Sequence, residues 1–260
     1  MISTAVIFSA LELGCIYALV ALALFLSFRV LNIADMTTDG SFTLGCAVSA
    51  TVAVAGHPLL ALPAAMLAGA CAGSVTALLQ TKLKIPSILA GIITNTGLYT
   101  VNLAVMGFSS NVNMMRTETM FTMLKPILGS GYKLIPAAVI TITVGLLLVL
   151  FLRTRLGLSI RATGDNQDMV RASSINTGFT ITIGLMISNA MTALSGAVLA
   201  QYQKTADINL GTGMVIIAIA LRLDLPSECL KLISATIVAL AIGLPAIKAA
   251  AKPATAKGGK

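Results

Sequence analysis

Polar side chains able to hold a solute stand where this chain is otherwise apolar. In LNIADMTTDGSFTLGCAVSATVAVAG, residues Asn32, Asp35, Thr37, Thr38, Asp39 and Ser41 interrupt the hydrophobic texture just ahead of a short apolar run at 42–56. Farther on, Thr94, Asn95, Thr96, Tyr99 and Asn102 fall inside an apolar stretch, and Thr94, Asn95, Tyr99 and Asn102 recur at helical spacing on one face. Such groups suit two tasks, hydrogen bonding between helices and lining the path of a polar solute. Enzyme chemistry is not visible. Cys15, Cys46, Cys71 and Cys229 have no CxxC spacing and no neighbouring histidine, and read as small core residues. The sole histidine, His57, precedes Pro58 in a turn, so neither a metal cluster nor a Ser/His/Asp set assembles around it.

The elements that position these side chains follow from composition. Hydrophobic residues make up 57% of 260 and charged residues 10%, against roughly 45–50% and 25% in soluble domains. This is an integral membrane protein, all-α, with about seven to eight spans or half-spans. The excess of 17 basic over 9 acidic residues would suggest nucleic acid in a soluble chain. Here the bases sit in connectors and at the end, where the positive-inside rule accounts for them. The start, MISTAVIF, lacks the basic region of a cleavable signal, so the first apolar run is expected to stay as a span.

That run, 4–28, ends at Arg29 and carries Glu12, which is either an anchor near the headgroups or a group facing a water-filled path. The run at 42–56 is short for a crossing, which predicts a broken or re-entrant helix whose polar approach lines a cavity or, alternatively, lies in the headgroups. Spans are expected at 59–79, at 85–108 with Pro86 in its first turn, and at 134–152. Another is expected at 181–202, rich in Gly and Ala that allow close packing, and a last one at 230–247. Residues 109–133 form a polar connector, and 213–221 is too short to cross. Residues 1–247 are thus one transmembrane domain, and 248–260 a basic tail of disordered composition.

The longest stretch in the middle that a bilayer would reject is RTRLGLSIRATGDNQDMVRASSINTGF, from Arg153 to Phe179. It reads as a short surface helix with Asp165 as amino-terminal cap, Asp168 near the positive end of the dipole, and Gly164 and Gly178 as breaks. Met169, Ala172, Ser173 and Asn176 share a face. On pattern alone this is either a solvated loop or a docking element. Placing it inside the cell also puts Arg29, Lys82, Lys84, Arg153, Arg155, Arg161, Arg171 and tail lysines 248, 252, 257 and 260 inside. Only Arg116, Lys125, Lys133, Lys204, Arg222 and Lys231 of the 17 bases are left outside.

LKIPSILAGIITNT from Leu83 matches LDLPSECLKLISAT from Leu223 at a constant offset, with opposite orientation, as an inverted repeat requires. At these segments, together with LNIADMTTDGSFTLG and RATGDNQDMVRASSINT, the chain resembles the permease subunits of bacterial ABC importers of the branched-chain amino acid and ribose type. The likeness is strongest to the branch associated with amino-acid-type substrate-binding lipoproteins. It implies a multi-pass protein of the bacterial inner membrane that moves a small solute, an amino acid, by alternating access. The implied partners are two copies of a cytoplasmic ATP-binding subunit holding ATP-magnesium, a second permease subunit in a homodimer, and an extracellular binding protein. This chain has no P-loop and binds no cofactor itself.

In that family the central loop is the helix that couples to the ATPase, here Gly164, Asp165, Asn166, Asp168, Met169, Arg171, Ala172, Ser173, Ile175 and Asn176. The substrate path is assigned to Asn32, Asp35, Thr38, Asp39, Thr94, Asn95, Tyr99 and Asn102. Two departures stand out. Ser174 replaces the glycine usual before the isoleucine of the coupling segment, and GTGMVIIAIALRLDLP reads as two family segments joined, with about one span absent near 217–221. A rival function is an ion-driven secondary transporter or channel that uses Glu12, Asp35 and Asp39 as coupling groups.

Overall fold

The computed structural model describes residues 4–214 of the chain. The span expected at 230–247, the second copy of the repeat, the junction near 217–221 and the basic tail lie outside the described residues. Within them the architecture is an all-α polytopic bundle, and five of its helices are long and apolar enough to cross a membrane.

The first, α1 (Thr4–Leu24), runs on into a π-helical turn at Phe25–Val30. The wider turn closes with Leu31 N–H donating to Leu26 O and Ile33 N–H to Ser27 O, and Asn32 reverses the chain with φ 56°. Residues 31–37 then climb back into the bundle without helix. Helix α2 (Thr38–Val54) completes the crossing. The short run at 42–56 therefore lies in one continuous helix, and the non-helical stretch is the polar approach to it at 31–37.

Helices α3 (Ala61–Thr81), α4 (Ser87–Val105) and α6 (Leu134–Arg153) follow, and α9 (Thr177–Gln203) forms the axis. Of the most apolar stretch of α9, 83% is buried, against 17% for α6, which presents Ile142, Leu146 and Leu150 outward. The axis is approached closely because small residues line it. Gly45, Gly69, Gly73 and Gly196 have no room for a Cβ, which would run into the backbone carbonyls of Ala193, Asn189, Leu185 and Phe42. Hydroxyls fasten the same seams: Ser188 Oγ donates to Ala23 O (2.8 Å) and Ser195 Oγ to Ile16 O (2.7 Å).

The connectors segregate to two ends. At one, β1 (Asn111–Asn113) pairs antiparallel with β2 (Thr205–Asp207), and α5 (Met120–Leu128) starts from a Thr119 capping box. Gln201 holds this end, accepting from Met120 N–H (2.9 Å) and donating to Ser49 Oγ and Pro58 O. At the other end lie α7 (Arg155–Asp165), α8 (Gln167–Ala172) and the turn before α4. Arg29, Lys82, Lys84, Arg153, Arg155, Arg161 and Arg171 belong to the second end, and Arg116, Lys125, Lys133 and Lys204 to the first.

Candidate functional site

Ser41 Oγ donates to Asn189 Oδ1 at 2.6 Å, so the first turn of α2 lies level with the middle of α9. A helix that begins at mid-depth leaves a space in front of its amino end, and this one opens on a cavity of about 310 Å³. Three elements line it: α2 through Asp39, Gly40 and Thr43; α4 through Asn95, Thr96, Tyr99 and Asn102; and the segment after β2 through Ile208, Asn209 and Thr212. Gly40 lets α2 pass α4, since a Cβ there would strike Asn95 Oδ1 and Leu98. Asn102 Nδ2 spans the gap to Gly40 O (3.2 Å). The segment after β2 folds back onto α2, with Gly211 N–H donating to Thr43 Oγ1 (3.1 Å) and Gly213 N–H to Asp39 Oδ2 (2.9 Å).

Four of the eight residues assigned to a substrate path thus meet at one cavity: Asp39, Asn95, Tyr99 and Asn102. The others do not. Asp35 is fully buried behind it, accepting from Thr37 N–H (2.8 Å) through Oδ1 and from Asn189 Nδ2 (2.7 Å) through Oδ2. Thr38 donates to Asp35 O and Thr94 to Ala90 O, so both serve the backbone. Asn32 is exposed at the basic end, on the wall of a different cavity. Thr94 is buried off the cavity wall, its hydroxyl bonded back to the carbonyl one turn earlier.

Sequence reasoning noticed Thr96 but left it out of the path, and missed Thr43, Asn209 and Thr212, as well as Asn189 and Gln201. The last two are carboxamides in an otherwise small and apolar span, which was the available signal. Glu12 lies elsewhere, accepting from Tyr202 Oη at 2.9 Å. Glu12, Asp35 and Asp39 are therefore held by three separate sets of partners.

Chemically the cavity can bind, and Asp39 is the one carboxylate on its wall among the described residues. Among the described residues no three of His, Cys, Asp and Glu could hold a metal. Asn102 is buried, and its Oδ1, itself inaccessible, has no donor among the described residues. The first turn of α2 adds the positive end of a helix dipole.

At the basic end the central loop is two helices, not one. Asn166, extended at φ −156°, breaks the chain between α7 and α8, and its Oδ1 accepts from Asp168 N–H (3.0 Å) and Met169 N–H (3.1 Å). The expected cap, Asp165, ends α7 with helical backbone and cannot turn its carboxylate onto the next helix. Gly164 and Gly178 are not breaks either. Gly164 sits inside α7, where its missing side chain lets the backbone touch Val30 O, and Gly178 lies in the first turn of α9.

The surface these helices present is polar, with Asp165, Asn166, Asp168, Arg171, Ala172 and Ser173 exposed around a protruding Met169, 70% accessible. Val170, absent from the expected set, is the buried anchor. Gly164 and Ile175 are half-buried, and Asn176 caps α9 through Phe179 N–H (3.2 Å). Ser174 closes α8 with φ 61°, the left-handed position that glycine usually fills.

A multi-pass bundle with a polar cavity at mid-depth and a basic helical corner at one end is an architecture suited to a membrane permease. The chain belongs to the family described as branched-chain amino acid transport system, permease component, which it matches over residues 6–252. It is 35% identical over 215 residues to a tyrosine transport system permease protein of Clostridioides difficile (strain R20291), covering 82% of this chain and 70% of that one. It is 33% identical over 216 residues to an uncharacterized protein of Rickettsia prowazekii (strain Madrid E), covering 82% and 74%. No solved structure matches it. The protein is thus the permease component of a transport system and a multi-pass membrane protein.

Proposed function

We propose that this chain is the membrane subunit of an ATP-driven importer that admits an amino acid, with an aromatic amino acid the preferred cargo. The observation carrying the cargo assignment is the mid-depth cavity. Its volume of about 310 Å³ suits a single small solute. A zwitterion finds there the Asp39 carboxylate for its ammonium group and the Asn95 carboxamide and the Thr96 and Thr212 hydroxyls as further hydrogen-bonding partners. Tyr99 supplies an aromatic wall. The relative named for tyrosine transport supports the same cargo class.

The drive comes from a separate ATPase that holds ATP-magnesium, docked on the exposed face of α8 around Met169 and Arg171. Solute arrives from an extracellular binding protein, and two permease subunits form a homodimer in a bacterial inner membrane. The basic end, with seven arginines and lysines against four at the other among the described residues, faces the cytoplasm. Alternating access needs two states that the partners stabilise differently.

The test is co-purification from native membranes in mild detergent, comparing wild type with Met169→Glu/Arg171→Glu. Both side chains are exposed, so folding should survive. An ATP-binding subunit should accompany the wild type and be lost from the variant. Recovery of a well-folded wild type with no ATPase would end this reading and turn attention to sodium- or proton-driven uptake.

A further inference from the structure

The basic end holds a second cavity, of about 840 Å³, between the α3–α4 turn and the α8–α9 corner. Three cations stand on its wall, Lys82, Lys84 and Arg171, and no wall residue is acidic. Among the described residues neither lysine makes an ion pair. Arg171 is steadied by Nε–H donation to Thr177 Oγ1 (3.2 Å), and its ion pair with Asp168 is long, 3.9 Å, with both side chains well exposed. Lys84 is turned there by a left-handed backbone (φ 54°) that a non-glycine residue rarely adopts. Gln80, on the same wall, has a buried Nε2 with no acceptor among the described residues. Three like charges around one space with no acid on its wall call for an anion.

The rest of the wall says which anion. Leu78 (49% accessible) ends α3, and Phe179 (52%) starts α9. These apolar side chains run from the cationic rim toward the membrane-spanning parts of their helices. A free phosphate would fill a small corner of the cavity and leave that apolar wall wet.

We propose that this cavity is a binding site for an anionic glycerophospholipid of the cytoplasmic leaflet, its phosphate among Lys82, Lys84 and Arg171 and its acyl chains along Leu78 and Phe179. Basic pockets between spans on the cytoplasmic side suit such headgroups. The placement rests on the orientation given above. Occupancy would tie the α3–α4 turn to the corner that carries α8, and so make docking at that corner sensitive to lipid composition.

Native mass spectrometry of the purified full-length chain, with phosphatidylglycerol or phosphatidylcholine added, reads the site without ATP or any partner. Failure to find an ATPase would therefore leave the result standing. Phosphatidylglycerol should be retained in preference to phosphatidylcholine, and Lys82→Gln/Lys84→Gln should weaken its retention about tenfold while Lys82→Arg/Lys84→Arg keeps it. Should the double glutamine variant misfold, the wild type's preference for phosphatidylglycerol should fall as salt is raised. Equal retention of the two lipids, or undiminished retention by a folded double glutamine variant, would overturn the proposal. So would displacement by inorganic phosphate at concentrations that leave other lipid bound, which would mark a free-anion site.

Discussion

Asn189, in the middle of the axial helix, donates through Nδ2 to Asp35 Oδ2 at 2.7 Å, across 154 residues of chain. Its Oδ1 accepts from Ser41 at 2.6 Å, while Asp35 also caps Thr37 N–H and Thr37 Oγ1 meets Thr76 Oγ1 at 2.8 Å. One carboxamide thereby secures an unwound segment whose polar backbone is tolerable at membrane depth only because it is buried in protein.

Asn189→Leu should cost about 1–3 kcal/mol, because it strands a buried carboxylate and a serine hydroxyl. Asp35→Asn, which keeps an acceptor for Thr37, should cost less. Thermal unfolding of the purified chain in detergent should rank them in that order, and an unchanged melting temperature for Asn189→Leu would dismiss the network as the clamp.

Close approach to α9 predicts a contrast between glycines. Gly45→Ala drives a Cβ into the Ala193 carbonyl and should destabilise by about 1–3 kcal/mol. Gly97→Ala meets nothing within 4 Å and should be neutral or stabilise by up to about 1 kcal/mol through helix propensity. The same unfolding assay separates the two.

Ser174→Gly should relieve the left-handed strain at the end of α8 by about 1 kcal/mol. Amide hydrogen exchange at Ser173–Ile175 should slow about fivefold. Ser174→Val should speed exchange. Equal exchange in all three proteins would show that the corner does not depend on this conformation.

Tyr99→Ala should raise the KM for aromatic amino acids about three- to tenfold in ATP-dependent uptake by proteoliposomes, and Tyr99→Phe should leave it near wild type. Aliphatic amino acids should change less. A uniform loss across all cargo would assign Tyr99 to the helix bundle instead of the cavity.

What was readable from sequence was what local spacing can carry. Run lengths predicted the crossings that fall among the described residues, the polar residues ahead of the short run at 42–56 marked the unwound approach to α2, and Asn95, Tyr99 and Asn102 declared their shared face. Partners distant in the chain were not readable. No local pattern shows that the segment at 208–214 folds back to Asp39, or that Asn189 meets Asp35. The corner was misread for a subtler reason. Asp165 and Asn166 are both good caps, and the choice between them depends on where the backbone becomes extended. That point follows α7, whose position is set by Gly164 packing on Val30, a tertiary contact outside the segment.

The contact between Gly164 and Val30 is backbone against backbone, with no side chain between to flex. A displacement of α7 therefore has no soft layer to dissipate in. It is delivered to the π-helical turn, and from there along seven unwound residues, 31–37, to the start of α2. The corner and the cavity are thus joined by one run of chain, which Asn189 holds at Asp35 and at Ser41.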